Sequence, residues 1–431
     1  MKILVLGGYG LIGDAVIGRL LRDGHQVTGL GREVGDAGRR RPAVRWIAAD
    51  MSKLLAAEDW LPVVAGMDAV VNAAGALQDG PRDRLDAVHR GSVVALVAAC
   101  EQAGVHRFAQ ISAIGADLAS PNPFFSTKAQ GDKAVASSSL EWTILRPGLV
   151  IAPAAYGGTA LLRALAAFPG FIPAVMPRQP IQTVSVADVA EAVSRAVAGS
   201  LPPRLAIDLV EGNARSLSDV LLSFRAWLGL PQARVMPMPA ILGRFASVVA
   251  DAVGVLGWRS PLRSSALAAL ADGITGNARS WNAVCDHPLQ PLEATLADMP
   301  AHAQERWFAR LWLAKPVIFA CLSLFWLVSG IVGMIRQDQA ADILASRGVS
   351  VDFAHICVLV GSAADIVVGA AVLVRPFAKP ALLAMIAITL SYLAGATLFV
   401  PSLWLDPLGP LVKTIPGLCL VLVALAVLDE R

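Results

Sequence analysis

A chain of 431 residues is long enough for two or three domains with well-buried cores. At 55% hydrophobic and 16% charged residues it is too apolar for an ordinary soluble enzyme, whose charged fraction is about a quarter, so part of it belongs in lipid. A net charge of +3, spread over 36 basic and 33 acidic residues, excludes a large basic field, and nucleic acid is not expected as a partner.

The chain opens on KILVLG, which reads as a buried strand. This apolar run is shorter than the core of a signal peptide, so export is not expected. The glycines that follow read as a turn, Leu11 to Arg22 as a helix, and Gln26 to Leu30 as a second strand, which makes a βαβ opening. In the turn Gly7-Gly8-Tyr9-Gly10-Leu11-Ile12-Gly13, backbone N–H groups and the positive helix end can meet a pyrophosphate, and a Cβ would block that approach. Gly7, Tyr9, Gly10, Leu11, Ile12 and Gly13 are therefore the expected cofactor-binding positions of the turn.

Just after the second strand stands Arg32, where an NAD-preferring site usually places a carboxylate for the ribose diol. A guanidinium there can grip a 2′-phosphate, with help from Arg39, Arg40 or Arg41, so NADP(H) is expected over NAD(H); a solvated basic loop is the alternative. Further strands are expected at 44–49, 68–74, 107–112 and 142–148, with helical patterns between them. Strands alternating with helices predict an α/β fold with a doubly wound parallel Rossmann sheet.

Over residues 1 to about 230 these motifs resemble the atypical and extended short-chain dehydrogenase/reductase superfamily. GGYGLIG resembles its glycine motif, Asp50 with Met51 its adenine-contacting pair, and Asn72-Ala73-Ala74-Gly75 its NAAG strand end. Ser112 resembles its active-site serine. ILRPGLVIAP, with Pro147, and VSVADVAEA complete the pattern. The resemblance implies cofactor contacts at Asp50, Met51, Ala73, Ala74, Gly75, Lys128 and Pro147, and catalytic roles for Ser112 and Lys128. The chain departs from the family at YxxxK, where Phe124 fills the Tyr position and Lys128 is kept. A phenyl ring can do none of the proton chemistry of a phenol. Of the three tyrosines, only Tyr156, which follows the RPG segment, is a candidate substitute. Lys128 can still hydrogen-bond a cofactor ribose. In this the chain resembles the atypical members that include the nucleotide-binding accessory subunit of respiratory complex I, which implies a tightly held NADPH.

Residues 231–310 read as a helical substrate lobe or connector, with Pro237, Pro239, Trp258, Trp281 and Trp307 among helical patterns. Amphipathic helices next to spans can lie on a membrane surface, where a lipophilic substrate could reach the cofactor; ordinary domain packing is the alternative.

From about residue 311 long apolar runs dominate. Pro316 to Met334 is 19 residues without a charge and Pro380 to Val400 is 21, each long enough to cross a bilayer. Phe353 to Val374 and Leu408 to Leu428 are two more candidate spans, which gives a bundle of about four transmembrane helices. With WLDPLGPLVKTIPGL entering the last span, this part resembles the DoxX-like membrane family, which implies a four-helix bundle and a link to redox or quinone-related processes. Arg306, Arg310, Arg375, Lys379 and Arg431 would share one side of the membrane, against Arg336 and Arg347 on the other. This bias puts the nucleotide-binding part in the cytosol. Asp365, near the middle of the second span, should face the bundle interior; Lys413 could pair with it, but more simply snorkels to the interface beside Asp406.

The five cysteines show no CxxC spacing, and no metal site is expected. Two functions fit these readings. One is a membrane-anchored NAD(P)(H)-dependent oxidoreductase, epimerase or dehydratase acting on a small lipophilic substrate or quinone. The other is a non-catalytic NADPH-binding membrane protein that serves a membrane-protein partner or a homo-oligomer.

Overall fold

The computed structural model describes residues 1–80, 83–346, 348–407 and 409–428. Arg347 and Arg431, used in the charge asymmetry, and Leu408, the start of the fourth candidate span, lie outside the described residues. The chain divides into two compact units, residues 1–251 with 260–306, and residues 252–259 with 307–431. The segment 231–310, expected as a lobe of its own, is shared between these two units.

The first unit is built on seven parallel strands: β1 (Lys2–Leu6), β2 (Gln26–Gly31), β3 (Arg45–Ala48), β4 (Ala69–Asn72), β5 (Arg107–Ile111), β6 (Glu141–Pro147) and β7 (Leu205–Leu209). Their spatial order is β3-β2-β1-β4-β5-β6-β7. The chain therefore reverses direction between β1 and β4, the switch point at which doubly wound sheets open a crevice beyond their strand ends. Six of the strands follow the predicted segments, and β7 is an addition.

Because side chains alternate along a strand, β1 feeds two cores at once. Ile3 and Val5 join Val16, Ile17 and Leu20 of helix α1 (Leu11–Arg22). Leu4 and Leu6 join Trp60 and Leu96, the latter on helix α2 (Ser92–Ala103). Helix α3 (Pro123–Ala136) starts with Pro at N1, and the Asn122 side chain accepts the Phe124 N–H at 3.1 Å. Helix α4 (Val186–Ala198) is capped by Ser185, whose Oγ accepts the Asp188 N–H. Its apolar face covers the same side of the sheet as α1. Within the first unit begins helix α5 (Ala240–Val255).

Among the described residues three helices are long and apolar enough to cross a membrane: α6 (Ala303–Ile335), which enters the second unit at residue 307, and α7 (Val351–Ala371) and α8 (Arg375–Phe399) within it. A fourth apolar helix, α9 (Pro410–Ala426), has 17 residues, so three spans meet the length requirement and the fourth lies at its lower edge. Small residues let α6 and α7 approach closely. A Cβ on Gly330 would come within 2.5 Å of the Ser362 carbonyl oxygen, and one on Gly369 within 2.9 Å of the Leu327 nitrogen. Asp365 is buried where three helices meet, accepting Ser329 Oγ at 2.9 Å and the Tyr392 hydroxyl at 3.1 Å. Lys413 is exposed.

Candidate functional site: a nucleotide crevice lined by Lys128 and Phe124

The glycine turn leaves β1 and enters α1 beside the end of β4. Gly7 has φ +66°, and a Cβ there would lie 2.8 Å from Ala74 Cα; a Cβ on Gly13 would lie 2.2 Å from the Gly7 carbonyl. These two glycines are required by packing inside the turn. Gly10, the N-cap of α1, differs: a Cβ there would meet only the Gly7 carbonyl, at 3.0 Å. This open side, next to the first N–H groups of α1, fits the pyrophosphate of a dinucleotide.

The strand end is held by the Ala73 N–H on the Leu6 carbonyl at 3.1 Å and by the Ala74 N–H on Asn72 Oδ1 at 3.2 Å. The Tyr9 ring packs on Gly31, where a Cβ would meet it at 2.2 Å, and its hydroxyl accepts the Arg32 N–H at 3.3 Å. Arg32 makes an ion pair with Asp83 at 2.8 Å. Asp50 caps the short turn of Met51 by accepting the Ser52 N–H and hydroxyl at 3.1 and 2.8 Å, and Met51 is buried. The neighbouring arginines have other partners: Arg41 grips Asp14 of α1 with two hydrogen bonds, and Arg39 pairs with Asp36. A hollow of about 460 Å³ is bordered by Asp79, Asp83, Pro123 and Thr127 among others. It thus runs from the partner of Arg32 to the start of α3.

At that end Lys128 is buried and donates from Nζ to the Ile111 carbonyl at 2.9 Å. Burial brings its pKa down to about 8, against the opposing pull of Asp132 one helical turn later. A Cβ on Gly75 would stand 3.4 Å from Nζ, so the ammonium faces the NAAG strand end. Pro147 closes β6, next to Arg146. Tyr156 lies before the helix Gly158–Ala166, half exposed, its backbone N–H on Thr159.

Ser112 follows β5, but its hydroxyl donates to Asp132 Oδ2 at 2.6 Å inside the protein. Burial raises the Asp132 carboxyl above its ordinary range, opposed by Ser112, Lys128 and Arg146, whose Nε lies 3.6 Å away.

The Phe124 ring packs edge-on against His89, with centroids 5.6 Å apart. His89 Nε2 accepts the Ala76 N–H at 3.1 Å, which leaves Nδ1 to carry the proton and donate to Thr127 Oγ1 at 3.0 Å. The Thr127 hydroxyl in turn donates to the Pro123 carbonyl at 2.7 Å. Burial and the Lys128 ammonium hold His89 neutral, well below its usual range. Sequence reasoning missed His89, Asp132 and Arg146. The Lys128–Asp132 spacing of four along a helix was the available signal, whereas His89 carried none. Beyond β5 a second hollow of about 310 Å³ is lined by Ile114, Gly115, Phe125 and Asp272 among others.

A parallel sheet with its switch point at a glycine turn, an α1 N-terminus left open and a buried lysine beside the β4 end define a nucleotide-binding protein of Rossmann type. Comparison with known proteins agrees: residues 7–199 match the NAD(P)H-binding family and residues 323–422 match the DoxX-like family. The chain thus carries an NAD(P)-binding Rossmann domain followed by a DoxX-like domain. A curated relative is the UPF0659 protein YMR090W of Saccharomyces cerevisiae, 27% identical over 169 residues, which is 34% of this chain and 69% of that protein. Among solved structures, NADPH-dependent quinone oxidoreductase QOR2 from Escherichia coli, complexed with NADPH, is 19% identical with a TM-score of 0.53 over 68% of this chain and 98% of its own. MoeE5, in complex with UDP-glucuronic acid and NAD, gives 18% and 0.52 over 72% and 99%. WbmH of Bordetella bronchiseptica, in complex with NAD+, gives 16% and 0.52 over 69% and 96%. At these identities the likeness is one of fold.

Proposed function

We propose that this chain is a membrane-anchored, NADPH-preferring oxidoreductase that reduces a lipophilic acceptor of quinone type, with its nucleotide-binding unit in the cytosol. The observation that carries the reading is the pairing of a retained Lys128 with Phe124 at the acid position. The bound nicotinamide supplies hydride. Lys128 holds the cofactor ribose, the glycine turn and the α1 N-terminus hold the pyrophosphate, Asp50 and Met51 flank the adenine, and Arg32, drawn from Asp83, takes the 2′-phosphate.

What these residues do not supply is an uncommitted acid at the Tyr position: the Lys128 ammonium donates to the Ile111 carbonyl and is reserved for the ribose. The Ser112 hydrogen is committed to Asp132, and the His89 hydrogen to Thr127. A simple ketone needs an acid as its alkoxide forms, and a positioned acid contributes about 10²- to 10⁴-fold. A quinone does not, because its reduced oxygen is stable as an aromatic oxyanion and takes its proton later from water. The membrane helices fit a lipid-dissolved acceptor, and the basic side chains Arg306, Arg310, Arg375 and Lys379 support the cytosolic side.

The same closed hydrogen-bond networks favour a second reading, in which NADPH is held without turnover for a partner complex. Protein purified in detergent, with its NADPH content measured, separates the two. Quinones should oxidise the cofactor in the unaltered chain. Lipophilic carbonyls should do so only in Phe124→Tyr, with a gain of about 10²-fold or more. A tightly bound cofactor inert to both acceptors, before and after that substitution, would establish the second reading instead.

A further inference from the structure

Helix α5 is built inside out. The residues it turns toward the protein are its smallest: Gly243, Ser247, Ala250 and Gly254 are buried, spaced four, three and four apart on one face. The backbone comes so close that a Cβ on Gly243 would stand 3.1 Å from a methyl of Val175. The opposite face carries the large apolar side chains, with Ile241 72%, Phe245 67%, Val248 65% and Val255 79% exposed, joined by Leu242 and Val249. At 3.6 residues per turn these form an unbroken apolar arc of about 140°. The helix's two charges, Arg244 and Asp251, share one edge of that arc.

A helix of a water-soluble domain puts its large apolar residues inward, and a patch of this extent on a monomer marks a binding surface. We propose that the outer face of α5 is lodged in lipid, with the helix lying in the membrane plane at the boundary of headgroups and acyl chains. The chain's own candidate spans point to a bilayer as neighbour, and they show the same outward apolar pattern, as at Leu324 and Leu398, 64% and 77% exposed. The arc offers aliphatic and phenyl groups with no hydrogen-bonding partner among them, which hydrocarbon accepts and a protein's polar rim would not match. Arg244, at the edge, is placed to extend toward lipid phosphates.

The test uses the full chain in phosphatidylcholine nanodiscs and does not depend on turnover. The photoreactive p-benzoylphenylalanine replaces Phe245 or Val248, with Leu118, an exposed loop residue of the nucleotide-binding unit, as the control position. NADPH content verifies folding of each protein. After irradiation, mass spectrometry should find phospholipid adducts from both α5 positions, at least tenfold above the control. A missing lipid adduct at either α5 position, or cross-links that join two copies of the chain, would overturn the proposal.

Discussion

Asp132 and Asp365 are both carboxylates buried within helices, but they keep different company. Asp132, in the nucleotide-binding unit, has the Arg146 guanidinium 3.6 Å away and Lys128 one turn before it, besides the Ser112 hydroxyl. Asp365, in the membrane unit, is held by two neutral hydroxyls, Ser329 and Tyr392, from two other helices. Among the described residues it makes no ion pair. The first arrangement balances charge with charge beside a crevice that must hold a phosphorylated ligand. The second spreads one polar group over uncharged donors, as suits a segment surrounded by lipid, where every added charge is costly. Substitutions at the two aspartates should therefore behave differently.

The largest effect is expected from Asp132→Ala. Removing one member of a buried charged group leaves Lys128 and Arg146 uncompensated and takes the acceptor from Ser112, a loss of about 3–5 kcal/mol. Asp132→Asn keeps an acceptor for Ser112 and should lose less. The thermal midpoint of the nucleotide-binding unit, followed by the fluorescence of bound NADPH, measures both. Equal midpoints for Asp132→Ala and the unaltered protein would show that the charges around it do not depend on one another.

Lys128 gives an intermediate effect with a definite sign. In the folded chain it loses its proton near pH 8, whereas an unburied lysine does so at 10.5. Between those values the unfolded chain holds more protons, so the contribution of this residue to stability rises with pH. Cofactor binding runs the other way. In the proposed site the ammonium is the ribose donor, so affinity for NADPH should fall as pH rises through about 8, by up to tenfold per unit. Fluorescence titrations from neutral to alkaline pH should show that slope in the unaltered chain and not in Lys128→Met. A slope that survives the substitution would assign the proton to another group.

How far the sequence reached follows the same divide between local and long-range causes. The bounds of α1 and the positions of six strands were legible because strand–turn–helix boundaries are set locally, by glycines and apolar runs. The seventh strand, Leu205–Leu209, was not, since only its pairing beside β6 marks it as a strand. Lys128 and Phe124 were found through a motif spacing. The turning of Ser112 inward and the closure of His89 onto Thr127 depend on residues 20 and 38 positions away, which periodicity does not register. Asp365 was conspicuous as a carboxylate in an apolar run. Its partners were not, because Ser329 and Tyr392 are ordinary residues of neighbouring spans.

The smallest effect is expected at Asp365. An asparagine keeps one oxygen as acceptor and offers an NH₂ to the other hydroxyl, which can turn to present its oxygen. Hydrogen bonds between membrane helices average about 0.6 kcal/mol, so Asp365→Asn should cost less than about 1 kcal/mol. Asp365→Leu, which removes both acceptors, should cost about twice one such bond. Protease susceptibility of the bundle in graded denaturing detergent measures both, and Tyr392→Phe should reproduce the loss of a single bond. Were Asp365→Asn to cost as much as Asp132→Ala, the carboxylate would have to be ionised in the bundle. The distinction between the two aspartates would then collapse, and a cation missing from its present neighbours would have to be sought.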